Sequence, residues 1–377
     1  MKVLRLLKRS LANRIFLGLA LTATAAIVLA VIVFHAVGGA AQRDFRPVHD
    51  PVSAEHMAMM KGIPNYLRTE ESTYLTFPEW YLVFNPQEYA EFLSRNPPSG
   101  FPYFKSIGQF WGGYAQVYGI TKRGYPFNMG DHLMEVVIGT SFTVEYVIKG
   151  IYENTAGRIS EWLGGGAHTE EDAYAAKVAR EYGDFIPTRA WYDFPFGQKL
   201  GGLWSTTAFL GKYPLRKFER KYFLSTEYGV KAVYAWLIRM ASHSVYGLAD
   251  TEVYTTVKNA PARIFENPDV KKIKDLGDGT CVITVPHYQG FTDTVPSLAR
   301  QGVQFLDLAG ADEILVTVIA PAGWKYDLGE GSELFTMEIL TGAGLRRVAV
   351  QAPVKSLGAM LREFEARGIR LEHLFDY

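Results

Sequence analysis

The chain has 377 residues, 39 Lys and Arg against 39 Asp and Glu, 48% hydrophobic residues, 14% aromatics and one cysteine. A chain this apolar buries enough surface to offset its ordering entropy, which excludes a mainly disordered protein. A net charge of zero gives no global field for nucleic acid, and Cys281 alone closes neither a disulfide nor a thiolate metal site.

Residues Ile15 to Val37 form an apolar stretch whose only ionisable member is His35. At 1.5 Å rise per residue it matches a hydrocarbon core of about 30 Å. Lys2, Arg5, Lys8, Arg9 and Arg14 precede it without an acid, and the flank Arg43-Asp44-Phe45-Arg46 is mixed. The positive-inside rule then leaves residues 1–14 as a cytoplasmic tail and places everything after Val37 on the other side. The expected location is the cell (inner) membrane, single-pass, with the bulk periplasmic or extracytoplasmic. The competing reading is a cleaved signal peptide ending near Gly38-Gly39-Ala40, although h-regions of about 7–15 residues are shorter than this one. Both readings export the rest of the chain.

Residues 38–72, with Pro47, Pro51 and Pro64, read as a stalk. A mainly helical, aromatic-rich domain is expected over 73–260. Tyr74 to Gly119 is dense in aromatics and broken by Pro78, Pro86, Pro97, Pro98 and Pro102; Asn85-Pro86 reads as a helix start. Asp131 caps a helix to about Leu163, ended by Gly164-Gly165-Gly166. Thr169-Glu170-Glu171-Asp172 opens another, and Pro214 starts one running to about His243.

From Pro261 the texture changes to short β-branched or alternating runs: Gly279 to Pro286, Val303 to Leu308, Glu313 to Ala320, Glu333 to Leu340, Arg346 to Gln351 and Ile369 to Phe375. Helical segments fall at Thr292 to Gln301 and Val354 to Arg367. A shift of about 66 residues lays Val282 on Val348, Phe291 on Leu357, Val295 on Leu361, Leu298 on Phe364 and Gly302 on Gly368. Two βαβ units with extra central strands resemble the ferredoxin-like family of α+β folds, over the last third of the chain only (261–377). The fold class expected is therefore α+β: one N-terminal transmembrane helix, a helical domain and a ferredoxin-like domain. Such folds serve many functions, so the fold decides none.

No G-x-S-x-G, P-loop, H-E-x-x-H, C-x-x-C or dinucleotide fingerprint is present, and no catalytic residue, resident metal or cofactor is assigned. His132 and Glu135 sit three apart on one helix face and fit two metal ligands, with Glu79 or Glu227 as a third; a solvated face carrying Asp131, Glu145, Lys149 and Glu153 explains the same stripe. His243, and His287 beside Tyr288, are ligand-binding candidates that also fit hydrogen-bonded core-edge histidines. Trp80 joins them, because Pro-broken aromatic passages either line an apolar pocket or fill a core. On the Pro214 helix, Arg216, Lys217, Arg220 and Lys221 lie on one face with Lys231 and Arg239, while Phe218, Tyr222, Val233, Leu237 and Met240 form the opposite one. The basic face is a membrane-surface candidate, or else an ordinary solvated face.

The functional expectation is a membrane-tethered binding or assembly module, without enzymatic activity. Its partners are the lipid bilayer through residues 15–37 and a protein or apolar ligand, and nucleic acid is not among them. The alternative is an enzyme or cofactor carrier acting on a lipid-like molecule in the helical domain.

Overall fold

The computed structural model describes residues 60, 63, 66, 70–125, 127–245 and 251–376. The tail, the anchor Ile15 to Val37 and most of the stalk lie outside the described residues. The chain is a mixed α+β protein with a helical N-terminal region and two small antiparallel sheets.

Among the described residues, the α-helices from Glu70 to Val245 are α1 (Glu70–Leu93), α2 (Tyr103–Gly124), α3 (Met129–Tyr152), α4 (Arg158–Leu163), α5 (Glu170–Phe185), α6 (Phe196–Thr206) and α7 (Pro214–Val245). The helix start expected at Asn85-Pro86 does not occur: α1 begins before it and runs through both Pro78 and Pro86. Each interior proline removes a rung of the hydrogen-bond ladder and costs about 3 kcal/mol. Burial of Phe77, Trp80, Tyr81 and Phe84 on this helix offsets that cost. The cap of α3 is Asn128 rather than Asp131, its Oδ1 accepting from the Gly130 N–H at 3.0 Å. A π-turn over Glu153–Gly157 links α3 to α4, and Gly165 and Gly166 then turn the chain at positive φ. The capping box at Thr169 forms as expected, with Asp172 as its reciprocal partner.

The C-terminal part reads β1 (Glu252–Lys258), β2 (Lys271–Gly277), β3 (Thr280–Pro286), α8 (Gln289–Arg300), β4 (Gln304–Leu308), β5 (Glu313–Pro321), β6 (Ser332–Glu338), β7 (Leu345–Pro353), α9 (Leu357–Ala366) and β8 (Arg370–Phe375). The repeat is therefore βββαβ, twice. Each half forms its own antiparallel sheet, in the orders β2-β3-β1-β4 and β6-β7-β5-β8. The ferredoxin-like layout is not confirmed, because the strands β1 and β2, unforeseen in the sequence, and their counterparts β5 and β6 complete two sheets instead of one. In both halves the strand after the helix returns beside the first strand, as β4 on β1 and β8 on β5.

One core joins the halves, with Val257, Ile283 and Val285 from the first sheet and Val316, Val318 and Val350 from the second. The helices interlock them: α8 packs on β3 of its own half and β8 of the other, α9 on β4 and β8, and each on its twin. The opposite face of the second sheet is also buried. Leu315, Phe335, Met337, Ala349 and Phe375 pack there against Tyr74, Phe77 and Trp80 of α1 and Phe110, Trp111 and Tyr114 of α2. Over the outer face of the first sheet lie Met60 and Tyr66, packed on Val282. The Tyr66 hydroxyl lies 2.8 Å from Thr256 Oγ1 and donates to Asp307.

Candidate functional site

The most distinctive chemistry lies between α3, α5 and α7. These two long helices, α3 and α7, run antiparallel side by side: Ser141 meets Tyr234 (3.4 Å between hydroxyls), Lys149 meets Glu227, and Glu153 meets Arg220. Of the cations that the sequence placed on the basic face of α7, Arg216, Lys217, Arg220, Lys221 and Lys231 turn inward, while Arg239 stays partly exposed and pairs with Asp193. Arg220, 1% exposed, holds Glu153 through both terminal nitrogens at 3.0 Å and Glu219 at 2.7–2.9 Å. Arg216 reaches Asp172 at 2.9 Å, Ser160 Oγ at 2.9 Å and the Gly157 carbonyl at 3.1 Å. Lys217 lies 3.0 Å from Glu170 and 3.2 Å from Glu171. Lys221 donates to the Thr207 carbonyl at 2.9 Å.

Lower on the seam, Lys149 pairs with Glu227 at 2.7 Å and Lys231 with Glu145 at 2.8 Å, each reaching the other's partner at 3.3–3.5 Å. Burial alone would raise the Glu227 carboxyl, but the Lys149 and Lys231 ammonium groups hold it down at about 2. The expectation of Arg216, Lys217, Arg220 and Lys221 as membrane-surface contacts is thereby overturned. All four are buried, and a buried cation persists only where acids and carbonyls close around it, as here. Glu145, Lys149 and Glu153 likewise belong to this seam and do not form a solvated face.

The outward side of the same helices is apolar. Every exposed residue of α3 is Met129, Gly130, Leu133, Met134, Val137, Ile148 or Ile151. On α7, from Pro214 to Met240, the only exposed residue that is neither apolar nor aromatic is Thr226. Phe218 is 64% exposed and Trp162, on α4, 77%. Among the described residues, the large apolar side chains that stand open lie within residues 104–240, apart from Ile273, Leu306 and Leu345.

A second group lies where α1 meets the end of β8. Trp80 is buried, its ring on that of His373 at 3.4 Å between centroids. His373 is fully enclosed, with Nδ1 2.9 Å from Thr292 Oγ1, and burial, then the neighbouring His287, pushes its imidazole well below the usual range. His287 Nδ1 lies 2.6 Å from the Asp376 carboxylate, which also accepts from the Tyr288 N–H at 3.0 Å. Tyr288 occupies a strand-to-helix elbow at φ 61°, ψ −126°, a strained conformation for a residue with a side chain. A Cβ at Gly290 would come within 2.5 Å of Pro286 Cβ, so the elbow requires glycine there. Trp80 and His287, proposed separately, thus meet around His373; the elbow has no sequence signature that the strand pattern would reveal.

The third group contains His132 and Glu135. Glu135 is buried and hydrogen-bonded to Glu79 of α1; burial first, and then the Glu79 charge, pushes its carboxyl well above the usual range. Glu79 is raised too, chiefly by burial. The Glu79 charge helps hold the Glu135 carboxyl up, whereas the hydrogen bond with Glu135 lowers Glu79 against the effect of its burial. His132 Nδ1 lies 3.0 Å from the Tyr114 hydroxyl and its ring stacks on Phe127 at 4.5 Å; burial lowers its imidazole. Glu79 is one of the two carboxylates named as a third ligand, while Glu227 is bound into the ionic seam. Among the described residues no group of three His, Cys, Asp or Glu side chains is placed to hold a metal ion. His243 falls within the α7 span, and its side chain lies outside the described residues.

Among the described residues no helix is long and apolar enough to cross a membrane. Comparison of the chain with protein-family models, with curated proteins and with solved structures finds no match.

Proposed function

We propose that this chain is a membrane-tethered binding or assembly module, held by Ile15 to Val37 and exposed on the non-cytoplasmic side. The observation that supports the reading is the outward apolar surface of α3, α4 and α7, with the ions of those helices turned inward. A monomer in water carries apolar patches of a few hundred Å2, and a larger one marks a surface that another body covers. The tether, a single-pass transmembrane helix at Ile15 to Val37, brings that surface to a bilayer, and the C-terminal double repeat is the part offered to a protein or small ligand.

A reporter enzyme active only outside the cytoplasm, fused after Tyr377, tests the topology: activity is expected, and activity only from a fusion within residues 1–14 overturns it. Intact Met1 in the mature protein is expected for an anchor; a new N-terminus near Ala40 replaces the anchor by a processed signal. The second reading, an enzyme or cofactor carrier for a lipid-like molecule, is favoured by one observation, the buried, hydrogen-bonded Glu79–Glu135 pair between α1 and α3. Metal analysis and an absorption spectrum of the purified protein separate the two: a stoichiometric metal or haem removes the first reading, and a colourless, metal-free protein removes most of the second.

A further inference from the structure

We infer that lipid covers the outer face of α3 and α7, so that the helical region lies bedded in the acyl layer of the same membrane that receives Ile15 to Val37. This deepens the tethered-module reading and rests on it. Three observations argue for lipid as the occupant rather than a second protein surface.

The first is the polarity of the face. From Pro214 to Met240 no residue of α7 that stands open is charged, and the same holds along α3; the partly exposed Arg239 and Glu145 are each held in ion pairs. A protein interface carries a polar rim and draws on arginine, whereas here each cation of α7 from Arg216 to Lys231 points inward and is matched by an acid or a carbonyl. In hydrocarbon that is the required arrangement, because an ion facing lipid has no partner.

The second is extent. With 32 and 24 residues, α7 and α3 are about 48 and 36 Å long at 1.5 Å rise per residue. Fifteen large apolar side chains on the two helices stand open, roughly half exposed, and present on the order of 1,500 Å2, a few times the patch of a water-exposed monomer. Trp162, Trp204, Tyr213 and Trp236 are the amphipathic rings that settle at headgroup depth.

The third is reach. Thirty-two residues separate Val37 from Glu70, the first residue of α1. Fully extended they span at most about 115 Å, so the helical region stays within reach of the bilayer that holds the anchor. Hydropathy averaged along either helix misses this, because each outward apolar stripe shares its turns with the inward ions.

The test uses the full chain with Cys281→Ala, carrying single cysteines at Val137→Cys, Val233→Cys or Leu237→Cys, each labelled with an environment-sensitive fluorophore. Ile273→Cys, on the first sheet, is the aqueous control. The protein is reconstituted into phosphatidylcholine–phosphatidylglycerol vesicles. Labels on α3 and α7 are expected to be quenched several-fold more by acyl-chain nitroxide lipids than by iodide, and the control the reverse. Labels on α3 and α7 that iodide reaches as freely as the control overturn the inference. So do labels protected from both quenchers, which means a protein, such as a second copy, covers the face. Flotation with the vesicles is read in the same samples: a chain that floats with aqueous labels loses only this inference, whereas a chain that does not float loses the tether as well.

Discussion

On α7 the guanidinium of Arg220 is enclosed while the ring of Phe218, two residues earlier, stands in the open; on β5 every side chain from Glu313 to Ala320 is buried, whichever face it points from. The two regions solve burial in opposite ways. The double repeat hides apolar side chains in two layers and shows polar ones, notably the lysines of edge strand β2, which also discourage edge pairing. The paired helices α3 and α7 hide ions and show methyls and rings. The difference teaches that burial within one chain can be achieved either by apolar layers or by fully partnered ions, and that the second leaves an apolar face outward.

Four measurements break or sharpen that contrast. The largest effect is expected from Arg220→Ala, which strands Glu153 and Glu219 in the seam and costs about 3–5 kcal/mol. The double change Arg220→Met with Glu153→Leu removes both ions and recovers most of the loss, as denaturation of the detergent-solubilised protein would show; a loss equal to the sum of the single changes would instead mean that the ions act separately. Next come paired truncations. Leu357→Ala in the shared core costs about 2–5 kcal/mol, whereas Leu237→Ala, on the open face of α7, stays within about 0.5 kcal/mol in detergent. Equal losses at the two sites would erase the contrast.

The elbow gives a smaller effect: Gly290→Ala costs about 1–3 kcal/mol, because its methyl meets Pro286. Thermal midpoints of the Ala and Ser variants, both lowered, would check it. The smallest effect is the pH response. Burial lowers the His132 and His373 imidazoles, so their stability contribution is complete above the unfolded value of about 6.5 and is lost as pH falls below it, by at most about 1.4 kcal/mol per pH unit for each histidine. The Glu79 and Glu135 carboxyls are raised, so they weaken the fold as pH rises past about 4.3. A His373→Gln variant should flatten the acid-side loss of thermal stability, and an unchanged slope would remove that histidine from the account.

Much of the C-terminal fold was legible, for reasons visible in particular residues. β-branched runs mark β3, β5 and β7, and the pairing of Gly302 with Gly368 follows from two helices that each end in a left-handed turn before a strand. β2 escaped notice because KKIKDLG is an exposed, charged edge with no apolar alternation. The helix through Pro78 and Pro86 escaped because tertiary packing of aromatics overrides the local penalty. The Glu79–Glu135 pairing was within reach, since His132 and Glu135 asked for another carboxylate. The direction of α7 was not. Periodicity shows that a helix has two faces, but not which of them the protein keeps for itself.

The contacts that close the double repeat come from far upstream. Tyr74 donates to Glu313 at 3.1 Å, Glu88 pairs with Arg347 at 2.9 Å, and Tyr66 reaches Thr256, so partners lie between 190 and 259 positions apart. During synthesis, α1 and α2 therefore emerge with their aromatic faces uncovered and wait until the last strands arrive. Long-range closure of this kind slows folding and lengthens exposure of sticky intermediates. The chain therefore completes its structure only when its final strand has been delivered, and during that interval it depends on whatever shields α1 and α2 from aggregation.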